Sequence, residues 1–269
     1  MFAGKKCVAI ESVNCMEKTI PDDLLRVHSP PMADWLETFM AVRLHVLVRF
    51  GMCNEIIDIN IPNDKDVYCV TTATTHYAKG VAFAAIGNIQ EAERQRDLFE
   101  TSRKNVPISR LDFPNKCVDI LAVDSAMLDG EIEYRRGNYK NAFKSLRKSN
   151  ELEDKLVYSE PWGWMQPTRH AYAALLLEQG HIEEAAEVYG AVLGFNDTLI
   201  RACQHPNNVW TLQGYHECLI RLGKRSEAGL IEPQLKLCLE IADVSIKSSC
   251  FCRLNTDQSR NPFNGCCSK

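Results

Sequence analysis

Four cysteines near the C-terminus have a spacing that can do chemistry. Cys250 and Cys252 stand in SSCFCR, and Cys266 and Cys267 in GCCSK, which puts four thiols within 18 residues. Zinc needs four converging soft ligands, usually from two Cys-x2-4-Cys pairs. A Cys-x-Cys and a Cys-Cys fit a mononuclear zinc knuckle poorly, but suit Cu, as Cu(I), or Zn in a looser geometry. The same thiols also suit a redox pair or a site of oxidation. The plain alternative is an irregular tail with incidental cysteines. The other eight (Cys7, Cys15, Cys53, Cys69, Cys117, Cys203, Cys218 and Cys238) are scattered through helical text. In a reducing compartment such thiols are small buried hydrophobes.

Composition and missing motifs bound the remaining chemistry. The chain has no GxSxG, no GxxxxGK followed by Ser or Thr, no HExxH, and no GxGxxG leading from a strand into a helix. The expectation is therefore a binding protein rather than an enzyme. A net charge of −4 leaves no concentrated basic surface for nucleic acid. No run of 18 apolar residues is present to span a bilayer, and the opening MFAGKKCVAIESVNC lacks the apolar stretch of a secretory signal. A cytoplasmic protein that binds neither nucleic acid nor membrane is the expectation. With 269 residues and 45% apolar content, the chain can bury a substantial core.

The elements that must position any site are most legible in residues 161–197. A helix over about 166–179 carries Ala173, Leu176 and Leu177 at the spacing of a buried stripe. Gly180 ends it, because glycine closes a helix in the left-handed conformation most cheaply. A second helix from Ile182 presents Ala185, Val188, Tyr189 and Val192. Such a hairpin cannot bury both faces alone and needs neighbours of its own kind.

Those neighbours are found by aligning on the glycine. GNIQEA at 87–92, GNYKNA at 137–142, GHIEEA at 180–185 and GKRSEA at 223–228 each place alanine five residues after glycine, where two helices must cross closely. Seven residues before the glycine stand Gly80, Gly130 and Ala173, with His216 in the last copy. With Pro206, Asn207 and Asn208 before the helix carrying Trp210 and Leu212, this pattern resembles the tetratricopeptide repeat (TPR) family. The SSCFCR ending, with PWGWMQPTRHA, is also similar to a group of TPR proteins from microbes and fungi. The resemblance covers residues 5–244 and implies an all-α chain, a right-handed α-solenoid of stacked antiparallel helix pairs. Successive turn glycines at 4, 51, 87, 137, 180 and 223 lie 47, 36, 50, 43 and 43 apart, against a family period of about 34; the extra residues lengthen helices or form loops.

The expected organisation is a helical repeat domain over 1–247 of about five helix pairs and an irregular cysteine-rich tail over 248–269. Gly4 and Ala9 repeat the turn spacing, so residues 5–18 read as the second helix of a unit. The array then starts mid-repeat, with an uncapped end open to self-association or to another chain. One long apolar helix is expected over 32–50, pairs over 71–86 with 89–103, 116–136 with 139–154 and 209–222 with 225–244, and no strand of consequence. Trp162 and Trp164 read as packing residues of a rigid loop; if exposed they would be partner anchors.

In the TPR family the first helices line a concave groove. By position, the resemblance puts Thr38, His45 and Arg49 there from one helix and Tyr77 from the next. Asp124, Glu131, Tyr134 and Arg135 follow from a third, His170 from a fourth, and Trp210, Gln213, Glu217 and Arg221 from a fifth. It implies a scaffold holding a protein or peptide partner, on a surface of mixed charge and aromatics; the alternative is that long insertions close the groove and these residues satisfy one another. A rival reading is a metal-dependent or redox protein using His45, Glu131 and His170 with Cys250 and Cys252, since imidazole, carboxylate and thiolate are transition-metal ligands. His76 falls one position off the groove and reads as packing between helices.

Overall fold

The computed structural model describes residues 1–253, and these are mostly helical. In chain order the elements are α1 (Lys6–Thr19), α2 (Asp22–Leu25), α3 (Met32–Leu36), α4 (Val42–Arg49), α5 (Cys53–Asp58), α6 (Cys69–Ala85) and α7 (Ile89–Lys104). A two-residue ladder of β1 (Leu111–Asp112) and β2 (Asn115–Lys116) follows, then α8 (Cys117–Arg135), α9 (Tyr139–Glu153), α10 (Thr168–Glu178), α11 (Ile182–Leu193), α12 (Val209–Arg221) and α13 (Arg225–Ile241). No helix among the described residues is long and apolar enough to cross a membrane.

The chain divides into two compact units. One is Ile10–Gln166; the other joins Met1–Ala9 to the described residues from Pro167 onward.

Helix ends fall where the sequence places them because the turn glycines take the conformation that stops a helix. Gly51, Gly87, Gly137, Gly180 and Gly223 all have positive φ, between 64° and 83°. The alanines five residues on are closed in: Ala92, Ala142 and Ala185 are 0% exposed and Ala228 2%. Two of the small residues seven before the glycine mark close approaches between helices. A Cβ on Gly80 would stand 2.7 Å from Leu128 Cδ1, and one on Gly130 would stand 2.7 Å from Leu146 Cγ.

In the unit Ile10–Gln166, α6 packs on α7, α8 packs on α9, and α6 also meets α8. His76 holds α6 to α7 through Nδ1 and Gln95 Oε1 at 2.8 Å. The helix expected over 32–50 is broken instead, with a 3-10 stretch, Glu37–Ala41, between α3 and α4. Glu37, fully buried at the break, gives its carboxylate to the start of α6. It accepts from Val70 N–H at 3.2 Å, Thr71 N–H at 2.8 Å and Thr71 Oγ1 at 2.6 Å. Those orphan donors need an acceptor, and Tyr68 at the N-cap supplies no side-chain bond.

In the other unit α10 packs on α11, α11 on α12 and α12 on α13. The start of the chain is built into this unit. Trp210 Nε1 donates to Met1 O at 3.0 Å and Val209 N–H to Phe2 O at 3.2 Å. Asp243 accepts from the backbone N–H groups of Lys6 at 2.5 Å and Cys7 at 2.8 Å, which caps α1 from the far end of the sequence.

Candidate functional site

Most of the residues expected to line a groove are interior. His45, Arg49, Tyr77, Asp124, Glu131, Tyr134, His170 and Trp210 are buried; Arg135, Gln213 and Glu217 are half-buried, and Arg221 is exposed. Thr38, the remaining position of this set, is half-buried too.

In the unit Ile10–Gln166, His45 and Tyr77 meet at Trp164, a loop residue with 2% exposure that the sequence places beside helices without assigning it a neighbour. Its indole meets the His45 imidazole edge-on at 5.1 Å between ring centroids, and the Tyr77 ring at 5.7 Å. Gln166 Nε2 fastens the same loop to His45 O at 2.8 Å. Burial favours the neutral forms of His45, Tyr77 and Asp124. Burial lowers the His45 imidazole to about 4 and raises the Asp124 carboxyl well above its ordinary range. The Tyr77 phenol is raised by burial first, then by the nearby Asp124 and Glu131 carboxyls. His45 Nδ1, Trp164 Nε1 and both Asp124 carboxyl oxygens have no hydrogen-bond partner among the described residues. His45 also borders a cavity of about 30 Å³ with Thr38, Asp112 and Cys117, room for water and little more.

His170, Trp210, Glu217 and Arg221 belong to the other unit and serve its final segment. His170 Nε2 bonds Thr211 Oγ1 at 2.6 Å, and His170 O accepts from Ser249 Oγ at 2.7 Å. Because that hydroxyl has a single hydrogen, Tyr189 is the donor in its 2.6 Å bond with Ser249. Phe251 packs on Trp210 at 5.8 Å. Arg253 grips both Glu217 oxygens, at 2.6 Å and 2.8 Å, and Arg221 Nη2 shares that carboxylate at 2.6 Å. Residues 248–253, read from sequence as irregular tail, are therefore a fastened segment that ends in the 3-10 turn Phe251–Arg253. The sequence signal for it was the Ser249 hydroxyl ahead of the cysteines, which periodicity does not register.

This platform holds Cys250 and Cys252, which are joined as a disulfide with Cα atoms 5.1 Å apart. Cys252 is buried and Cys250 half-buried, and the Cys252 N–H donates to Cys250 Sγ at 3.1 Å. Their expected companions Cys266 and Cys267 lie outside the described residues. The eight other cysteines are free thiols, three of them buried. Compared with known proteins, the chain matches no protein-family model, no curated protein and no solved structure.

Proposed function

We propose that the chain is a TPR-like helical-repeat protein, its hairpins stacked as a right-handed solenoid, whose working chemistry is thiol–disulfide exchange at Cys250 and Cys252. The observation that carries this reading is the bridge itself, closed over one intervening residue on a fastened segment. A crosslink that short removes little freedom from the unfolded chain, on the order of 1.5 kcal/mol against about 3 kcal/mol for a 15-residue loop. Stabilising the fold is a poor account of it.

Cys250 is half-buried and Cys252 buried, so Cys250 is the residue taken to be attacked. In the exchange a partner thiolate attacks Cys250 Sγ, the Sγ–Sγ bond breaks, and the electron pair leaves on Cys252 Sγ, which takes up a proton. A second partner thiolate then attacks the partner's sulfur in the mixed disulfide and releases Cys250 as a thiolate. Two partner thiols become one disulfide, and the protein pair becomes a dithiol. The Cys252 N–H stabilises the departing Cys250 thiolate. The partner is a protein, peptide or low-molecular-weight thiol. The groove residues are mainly interior, so the reading does not rest on a partner held among them.

Alkylation and mass spectrometry of native protein, equilibrated across ratios of reduced to oxidised dithiothreitol, test the proposal. A midpoint between about −180 and −270 mV, the span of exchanging pairs, is expected. A midpoint below about −300 mV marks a structural bridge, and a pair that never oxidises removes the reading. Reduced, the two thiolates are a soft donor pair for Cu(I). Copper kept by the reduced protein through desalting, and lost in Cys250→Ser, would favour a metal role instead.

A further inference from the structure

Away from the cysteines, the unit Ile10–Gln166 contains a cleft of about 470 Å³, inside the range of roughly 300 to 1,000 Å³ that small-molecule sites occupy. Met40, Leu44, Ile59 and Pro62 give it an apolar floor. Its rim is charged and ordered. Arg26 bridges Asp22 and Asp64, with Nε to Asp22 at 2.6 Å and Nη1 to Asp64 at 2.6 Å, and the Tyr68 hydroxyl braces Asp22 at 2.7 Å. Across the lining, Arg43 donates from Nε and Nη2 to Glu17 at 2.7 and 2.6 Å, and from Nη2 to Asn14 at 2.6 Å.

We propose that this cleft binds a small zwitterion with an apolar body, of the class of a hydrophobic amino acid or short peptide with both termini charged. Two guanidiniums and three carboxylates line it. A simple anion meets a surplus of acid, and a simple cation meets two fixed guanidiniums, whereas a zwitterion satisfies both signs. The bonds to Glu17 and Asn14 engage Nε and Nη2 of Arg43, and its Nη1 donors are the ones that would serve a ligand carboxylate. Bonds to Arg26 hold Asp22 and Asp64 below the usual carboxylate range, so both stay ionised to receive an ammonium. The apolar body takes the floor, where it removes Met40, Ile59 and Pro62 from water. Folding does not account for this network, because Arg26 and Asp22 side chains remain 45% and 50% exposed, and ion pairs so exposed contribute little to stability.

Calorimetric titration of the full chain with L-phenylalanine and the dipeptide Leu-Phe, each beside its N-acetyl and its C-amide form, tests the site. The free forms should bind, each cap should weaken binding by about tenfold or more, and Arg43→Gln should weaken only ligands that keep a carboxylate. Met40→Trp, which fills the floor, should abolish binding while the melting transition persists; Asn60→Trp at the exposed rim reads the same point if that variant does not fold. Equal affinity for free and capped forms, unchanged binding in Arg43→Gln, or no heat at millimolar ligand overturns the proposal. Binding should be intact in Cys250→Ser, and its loss there would also overturn an independent site.

Discussion

Tyr189 packs so tightly on Gly214 that a Cβ there would stand 2.6 Å from the phenol oxygen and 2.7 Å from Cε2. The absence of a side chain at 214 is what lets the fully buried Tyr189 reach Ser249 and so pin the segment that holds the cysteines. Gly214→Ala should force the ring away, destabilise the protein by about 1–3 kcal/mol, and speed alkylation of Cys250 and Cys252 after reduction. Urea denaturation and timed alkylation measure the two effects. Tyr189→Phe, which loses only the hydroxyl, should cost about 0.5–1.5 kcal/mol and speed alkylation less.

The repeat pattern contains two kinds of small residue, and substitution should separate them. Gly180 has φ 82° and open space around its missing side chain, so its requirement is conformational. Ala185, five residues on, is 0% exposed, so its requirement is room. Gly180→Ala should cost about 1 kcal/mol, with Gly180→Asn milder because asparagine tolerates the left-handed region. Ala185→Leu should cost about 1–3 kcal/mol through overpacking. Equal loss from Gly180→Asn and Gly180→Ala would contradict this division.

Much of the helical text was legible for this reason: glycine-plus-five-alanine records a turn and a crossing at once, and each is a steric demand that few other residues meet. The break between α3 and α4 was not legible, since the apolar run over 32–50 looks continuous and the acceptor role of Glu37 depends on a helix that starts more than 30 residues later. The two-residue ladder within Leu111–Lys116 is too short to carry a period, in keeping with the expectation of no strand of consequence. Position relative to the turn glycine selected His45, Tyr77 and Asp124, but could not say that Trp164 would lie against two of their rings, nor that these residues would be interior. Likewise Asp243 as the cap of α1 joins residues 236 apart in sequence, a pairing no local pattern encodes.

Burial of imidazoles should make the protein acid-labile in a defined window. Burial lowers His45 and His205, one in each unit, from an ordinary 6.5 to about 4. The unfolded chain therefore takes up protons near pH 6.5 that the folded one refuses until about pH 4. Stability is full above 6.5 and is lost as pH falls toward 4, by as much as about 3 kcal/mol for one fully buried histidine. His45→Phe keeps an aromatic ring against Trp164 and removes the orphaned Nδ1. Urea midpoints of this variant should fall less steeply between pH 6.5 and 4 than those of the wild type. Parallel curves would show that His45 does not hold its proton affinity down in the fold.

Glu37 offers the sharpest test of how the unit Ile10–Gln166 is built. Its carboxylate meets three donors at the start of α6, two backbone N–H groups and the Thr71 hydroxyl, with no water available to replace it at 0% exposure. Glu37→Ala would leave those donors unpaired in the interior and open a cavity, so a loss of about 2–4 kcal/mol is expected. Glu37→Gln preserves volume and one acceptor, but turns an amide N–H₂ toward a backbone N–H, and should fall between alanine and wild type. Amide exchange locates the damage: protection should drop first at Val70, Thr71 and Thr72, while α8 and α9 keep theirs. Uniform loss of protection across α6 to α9 at small destabilisation would instead mean that Glu37 supports the unit by packing rather than by capping α6.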